Sequence, residues 1–305
     1  MATSLINTID PNAVSGTVEE RDAQARPLRD RANAALRRGD LARAMLHASD
    51  ALMLNPNARD SLELVDKIAN TAGDPLSLVP LSVSIALTAC RARVLALQGD
   101  LEWAMVLVRH VVTAAPALEC VAWIRDWLTP AAIRRLGLSE LKGVVVMLVK
   151  LWSELPAGQV VGDARLPNVR ATADVIAQLR AEFPDEVPLY LSEILVRRRL
   201  GEPSATLVLA HAAVERFPSD WGVLVSVANA ERDARHPDKS LDYARRALAV
   251  TGGDGSPLHD AAWAYLEAER PAEALELFEE LLDEYPDYPL SRETRELIQR
   301  LAAQR

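Results

Sequence analysis

The sequence predicts an all-α protein of stacked antiparallel helix pairs, with an irregular helical segment in its middle. Three observations carry this. The 305 residues include 49 Ala and 45 Leu against 13 Gly and 5% aromatics. Ala and Leu are strong helix formers, whereas β-rich chains need more β-branched, aromatic and turn residues, so a β-sandwich or barrel is excluded. Pro116, Pro184, Pro218 and Pro286 are separated by 68, 34 and 68 residues, all multiples of 34. Between them the apolar positions recur at helical spacing.

From the N-terminus, residues 1–16 read as a flexible tail. Thr17 and Glu20 have the spacing of a capping box and start a short helix before Pro27. A turn at Gly39-Asp40-Leu41 recurs as Gly99-Asp100-Leu101 and Gly201-Glu202-Pro203, each 17 residues before a proline (Pro56, Pro116, Pro218). Gly supplies the left-handed position that ends one helix, and the acidic residue caps the next. The segments Glu182-Phe183-Pro184-Asp185, Arg216-Phe217-Pro218-Ser219 and Glu284-Tyr285-Pro286-Asp287 are one signature, a helix closed by an aromatic and stopped by proline. The unit is therefore helix, tight turn, helix.

Two stretches break the period. Between Pro56 and Pro116 one unit has lost about eight residues; its first helix survives as Ser61–Asn70, and its second is cut short around Pro75 and Pro80. The segment 119–167 holds Trp123, Trp127 and Trp152, then a Gly- and Pro-punctuated loop to Pro167. A subdomain boundary is expected near 155–167, with 155–167 the easiest place to nick by protease. Val144–Val149 is far too short to span a bilayer and reads as a buried helix. Leu290, Thr294, Leu297, Ile298 and Leu301 form one apolar stripe, with Arg292, Glu293, Glu296 and Arg300 outside it, as expected of a helix that closes a stack.

The repeat resembles the tetratricopeptide repeat, a 34-residue helix pair with small residues at positions 8, 20 and 27, a large apolar residue at 24 and Pro at 32. Residues 255–288 match best, with Ala262, Tyr265, Ala274, Phe278 and Pro286. Residues 25–58 supply Ala32, Ala44, Ala51 and Pro56; residues 85–118 supply Ala92, Leu95, Ala104, Val108 and Pro116. At 187–220, Tyr190, Gly201, Ala213 and Pro218 fit, but Arg197 stands where a large apolar residue belongs. At 221–254, Ala228, Ala244 and Ala247 fit, and Gly252 replaces the proline. The resemblance covers about two-thirds of the chain. It implies a right-handed α-solenoid arranged as N-terminal repeats at 17–118, the irregular segment at 119–167, C-terminal repeats at 168–288 and a capping helix at 289–305.

The formal charge is −9, from 43 acidic and 34 basic residues, which disfavours a nucleic-acid partner, since such proteins carry a basic face. Thirty of the basic residues are Arg; with abundant Ala this reflects a GC-rich bacterial genome. The N-terminus has no secretory signal, so a cytoplasmic location and no membrane partner are expected. Cys90 and Cys120 form no disulfide framework and read as buried thiols. The five histidines form no metal or catalytic motif; His259-Asp260 reads as a solvated helix start, and Glu279, Glu280, Asp283 and Glu284 as a solvated face. No cofactor is expected.

The function expected is a non-enzymatic scaffold or adaptor that binds a protein or peptide partner, with oligomeric state open. The alternatives are a regulatory or inhibitory accessory subunit of an enzyme in a bacterial signalling or defence complex, and an enzyme with its site in 119–167. Resemblance to the family points to groove positions on each first helix, here Arg29, Asn33, Arg37, Arg93, Arg198, Arg199, Asn229 and Arg232. These arginines suggest an acidic partner segment, or are paired with nearby carboxylates. Arg29 and Asn33 echo a carboxylate clamp found in some members, but Ala86 and Cys90 break its continuation. Trp123 and Trp127 either fill an irregular core or form an aromatic partner patch.

Overall fold

The computed structural model describes residues 16–81, 84–115, 118–152, 165–251, 255–289 and 291–302. They form sixteen α-helices and no strand. Residues 1–15 of the expected tail, residues 153–164, which include most of the 155–167 segment expected to be nicked, and Pro116, Gly252 and Leu290 lie outside the described residues. Contacts divide the chain into two compact units, the division falling between Phe183 and Pro184.

In the first unit, α1 (Val18–Arg37) and α2 (Leu41–Leu54) pair around the Gly39 turn, and α3 (Arg59–Thr71) follows. The capping box is formed, Thr17 Oγ1 accepting from the Glu20 N–H and the Glu20 carboxylate from the Thr17 N–H. The helix it starts does not stop before Pro27; it runs through it. Proline in a helix interior removes one hydrogen bond and costs about 3 kcal/mol. Burial of Ala25, Leu28, Ala32 and Ala35 on both sides of Pro27 outweighs that loss. The shortened second helix of the next pair survives as one 3₁₀ turn, Pro75–Leu78. Arg91 ties it down by donating to the Val79 carbonyl at 2.7 Å. Then come the regular pair α4 (Ile85–Leu97) and α5 (Leu101–Ala114), three shorter-spaced helices α6 (Val121–Trp127), α7 (Pro130–Leu136) and α8 (Leu138–Trp152), and α9 (Leu166–Glu182). On α8, Val145 and Leu148 are buried, while Val146 faces solvent.

Helix α9 belongs with this first compact unit, which ends at Phe183. The cause is a buried clasp. Asn168 donates to the Leu118 carbonyl at 2.7 Å and accepts from the Val121 N–H at 3.1 Å. Trp152 Nε1 donates to Thr172 Oγ1 at 2.9 Å. Nothing in the local pattern of 165–182 announces these partners, which lie 20 to 50 residues away.

The second unit is three pairs and a cap: α10 (Val187–Arg199) with α11 (Pro203–Arg216), α12 (Trp221–Asp233) with α13 (Pro237–Thr251), α14 (Ser256–Glu267) with α15 (Pro271–Glu284), then α16 (Ser291–Ala302). The repeat alanines of this unit are buried: Ala213, Ala228, Ala244, Ala247, Ala262 and Ala274. Without a side chain beyond Cβ they let neighbouring helices approach, and Tyr265, Phe278 and Leu281 fill the space left over. Leu297, Ile298 and Leu301 of α16 cover the last core. Arg197, which breaks the apolar pattern, is accommodated by charge: it donates to buried Glu193 at 2.8 Å and to Glu202 at 3.1 Å.

The turns of the five regular pairs, α1–α2, α4–α5, α10–α11, α12–α13 and α14–α15, use one backbone solution. Gly39, Gly99 and Gly201 have positive φ, as do Arg235 (64°) and Glu269 (59°) in the two pairs that lack a turn glycine. In each, the next N–H bonds back to a carbonyl five residues earlier, as in Asp40 to Ala35 and Arg270 to Tyr265. This is the Schellman closure. The period is thus kept by backbone geometry even where glycine is absent.

Candidate functional site

The residues expected to line a groove fall on first helices in both units, but most of their charges are already matched. Arg29 is buried and donates to both oxygens of Asp22, at 2.8 and 3.1 Å. This guanidinium holds the Asp22 carboxyl below the usual carboxylate range. Asn33 donates back to the Arg29 carbonyl. Both line a cleft of about 400 Å³ between α1 and α3, where Asp22, Asp30, Asp60 and Glu63 face Arg26, Arg29 and Lys67. That cleft is not basic. Arg93 makes a two-pronged pair with Asp66 of α3, at 2.8 and 2.7 Å.

In the second unit the same pairing becomes a ladder. Arg198 of α10 grips Asp233 of α12 at 2.6 and 3.2 Å. Arg232 of α12 lies 3.4 Å from Asp260 of α14, with Asp233 at 3.8 Å and Glu267 at 4.0 Å. Each link joins the first helix of one pair to the first helix of the next. Arg198 and Arg232 are therefore ties between successive pairs. Arg199 stands beside Arg198, and burial followed by that neighbour's charge lowers its affinity for its proton. Arg37 is exposed at the end of α1.

Trp123 is 1% exposed and donates its indole N–H to the Pro56 carbonyl at 3.2 Å. It fills the core, the first of the two readings of this pair, tilted against the half-buried Trp127 ring at 6.1 Å. Trp103 on α5, Trp221 on α12 and Trp263 on α14 are the more exposed rings. Cys90 and Cys120 are buried free thiols, and burial pushes both up.

His259 is not a solvated cap. Its ring packs against Trp263, Phe278 and Tyr288, and its Nε2 accepts the Trp263 indole N–H at 3.2 Å. Burial, then the charge of Arg232, holds it below the ordinary imidazole range, with Asp260 pulling the other way. Sequence reasoning also missed Glu231, which is fully buried on α12. His211 Nε2 lies 2.8 Å from one of its oxygens and His236 Nδ1 2.8 Å from the other. His236 reaches its oxygen as a hydrogen bond, donated in the Nδ1–H form of the ring, while the oxygen facing His211 makes no hydrogen bond among the described residues. Of the acidic face on α15, Glu280 pairs with Arg245. Arg270 turns away to Asp238 and Glu273.

The polar ladder runs beside an apolar strip. Leu195, Asn229 and Trp263 occupy equivalent repeat positions on α10, α12 and α14, each 34 residues from the next. Leu191, Val225 and His259 form a second such row one helical turn earlier. Leu191, Leu195, Val225 and Asn229 are half-buried, and Trp263 is 39% exposed. The Asn229 amide makes no hydrogen bond among the described residues. No described group of His, Cys, Asp and Glu could hold a metal ion. No described helix is long and apolar enough to cross a membrane.

No protein-family model and no curated protein sequence matches the chain. Several solved structures are similar. YrrB, described as a TPR protein with an unusual peptide-binding site, is 14% identical, covering 70% of this chain and 92% of its own, with a TM-score of 0.42. A tetratricopeptide repeat protein from Parabacteroides merdae is 11% identical over 92% of this chain and 99% of its own, at 0.37. The TPR2AB domain of yeast Sti1, solved in complex with pHSP90, is 15% identical over 92% and 99%, at 0.33. In the 34-residue period, the left-handed turn and the buried small residues between helices, the helix pairs of this chain are themselves tetratricopeptide-like.

Proposed function

We propose that the chain is a non-enzymatic protein-interaction scaffold that holds an extended segment of a partner protein on the first-helix face of its second unit. The observation that supports this is the strip of Leu195, Asn229 and Trp263 with Leu191 and Val225 beside it. It offers half-buried apolar surface around one side-chain amide that is not otherwise engaged. An amide can donate to and accept from a peptide backbone at once, which suits a segment read by its main chain and apolar side chains. Packed helices lie roughly 8–10 Å apart, so three of them offer about 20 Å, enough for about six extended residues. The ladder of Arg198, Asp233, Arg232 and Asp260 borders the strip and keeps the three helices in register, so the surface is set before a partner arrives.

The test is affinity capture from the native host with wild-type protein and an Asn229→Ala/Trp263→Ala variant, read by mass spectrometry. A protein held by wild type should be lost from the variant while circular dichroism of the two stays the same. Equal capture by both would remove the strip from the interface.

A further inference from the structure

Most arginines of the first unit are held by the chain itself, as Arg21, Arg29, Arg93 and Arg134 are by Glu119, Asp22, Asp66 and Glu182. The turn between α1 and α2 departs from this. Arg31, Arg37 and Arg38 are exposed, and no carboxylate of the described residues lies within ion-pair distance of them. Arg43 has Asp40 at 3.8 Å, and that carboxylate already accepts the Arg43 backbone N–H as the cap of α2. Arg31 and Arg38, the residue that caps α1, are seven residues apart and project on one side of its last two turns; Arg43 and His47, four apart, share a face of α2. Helices α1 and α2 pack against each other, and burial, then the charges of Arg31 and Arg43, hold His47 below its ordinary range, with Asp40 pulling the other way.

Local neutralisation does not absorb this charge. The C-terminal end of α1 brings about −0.5 of a charge and the N-terminal end of α2 about +0.5 to the same turn, so the two offset each other. Asp40 answers one arginine. Asp30 lines the α1–α3 cleft instead. A concentrated positive tip therefore stands on a chain whose net charge is −9.

We propose that the α1–α2 turn is a docking site for a short acidic segment of a protein partner, its carboxylates pairing with Arg31, Arg38 and Arg43. The proposal rests on the scaffold reading and adds a second, charged contact to it. Arg31 and Arg38 lie roughly 10 Å apart along the helix, a span matched by about three residues of extended chain. Arginine suits the task because its fork donates two hydrogen bonds to one carboxylate. A protein segment is favoured over nucleic acid because the patch is small. A long phosphate chain would run off it onto a unit whose acidic and basic residues balance, 20 of each in residues 1–183, and gain no further attraction there.

The test uses the full chain and a fluorescent peptide of alternating Glu and Gly residues, followed by anisotropy at low and moderate salt. Wild type should bind it, more weakly as salt rises. The variant Arg31→Glu/Arg38→Glu/Arg43→Glu should lose roughly tenfold or more. A charge-matched control, Arg59→Glu/Arg109→Glu/Arg170→Glu, alters three other exposed arginines and should retain binding. No binding by wild type, equal loss in the control, or markedly tighter binding of an oligothymidylate than of the peptide would each overturn the proposal. Loss of the apolar strip's partner on Asn229→Ala/Trp263→Ala tests the scaffold reading separately, since those residues lie in the other unit.

Discussion

Asp50 is the residue whose replacement should change stability most informatively. It sits on α2 at 8% exposure, and its Oδ1 has no hydrogen-bond partner among the described residues. Burial pushes the carboxyl up from 3.8 to about 6. Because the folded value is raised, the folded state holds this proton more tightly than the unfolded chain. The associated stability is fully present below the unfolded value of 3.8 and is lost as pH rises through 6. A shift of about two pH units corresponds to about 3 kcal/mol, an upper bound on what the ionised Asp50 costs at neutral pH. Asp50→Asn keeps the shape and removes the charge, so it should stabilise the protein above about pH 7 by about 1–3 kcal/mol, the range allowing for an amide that must itself be desolvated. Near the unfolded value the advantage should vanish. Urea unfolding followed by circular dichroism, at both pH values and on both proteins, measures the difference. An effect of Asp50→Asn that is the same at both would refute the assignment of a buried, ionised carboxylate.

Three further outcomes follow from single positions. Gly255 has φ of 80°, and a Cβ there would lie 2.6 Å from Leu281 Cδ1 and 2.9 Å from the Tyr285 ring. Gly255→Ala should therefore destabilise by roughly 1–3 kcal/mol, seen as a lower urea midpoint. Glu269 holds a left-handed backbone that disfavours any side chain, so Glu269→Gly should stabilise by up to about 1 kcal/mol; a loss of stability would show that its side chain is needed. His259 has a lowered folded value, so its contribution is present above the unfolded value of 6.5 and is lost as pH falls through the folded one. Its NMR titration should run below that of an exposed histidine, and Trp263 fluorescence should change with it as the indole loses its acceptor.

Ala44, Ala213, Ala262 and Ala274 show why so much of the fold was legible in the sequence. A helix pair is built from interactions spanning one turn: a capping side chain three residues ahead, a turn residue with positive φ, a proline that denies the next hydrogen bond. Each leaves its own residue type at a fixed spacing, and the small residues mark where helices cross. Pro27 shows the limit of that logic, because a local rule was outweighed by apolar burial on both sides of it.

The sequence alone determined the all-α class, the 34-residue period, the caps and the positions of close helix approach, since all of these depend on contacts within a few residues. Only the tertiary structure decided which charges are spoken for. Arg93 finds Asp66 27 residues away, and Arg198 finds Asp233 35 away. Such pairs depend on the register of neighbouring helices and on which rotamer reaches across, neither of which leaves a mark in composition or spacing. The same reason placed Trp123 in the core, joined α9 to the first unit through Asn168, and left Arg31 and Arg38 with no carboxylate of the described residues in ion-pair range.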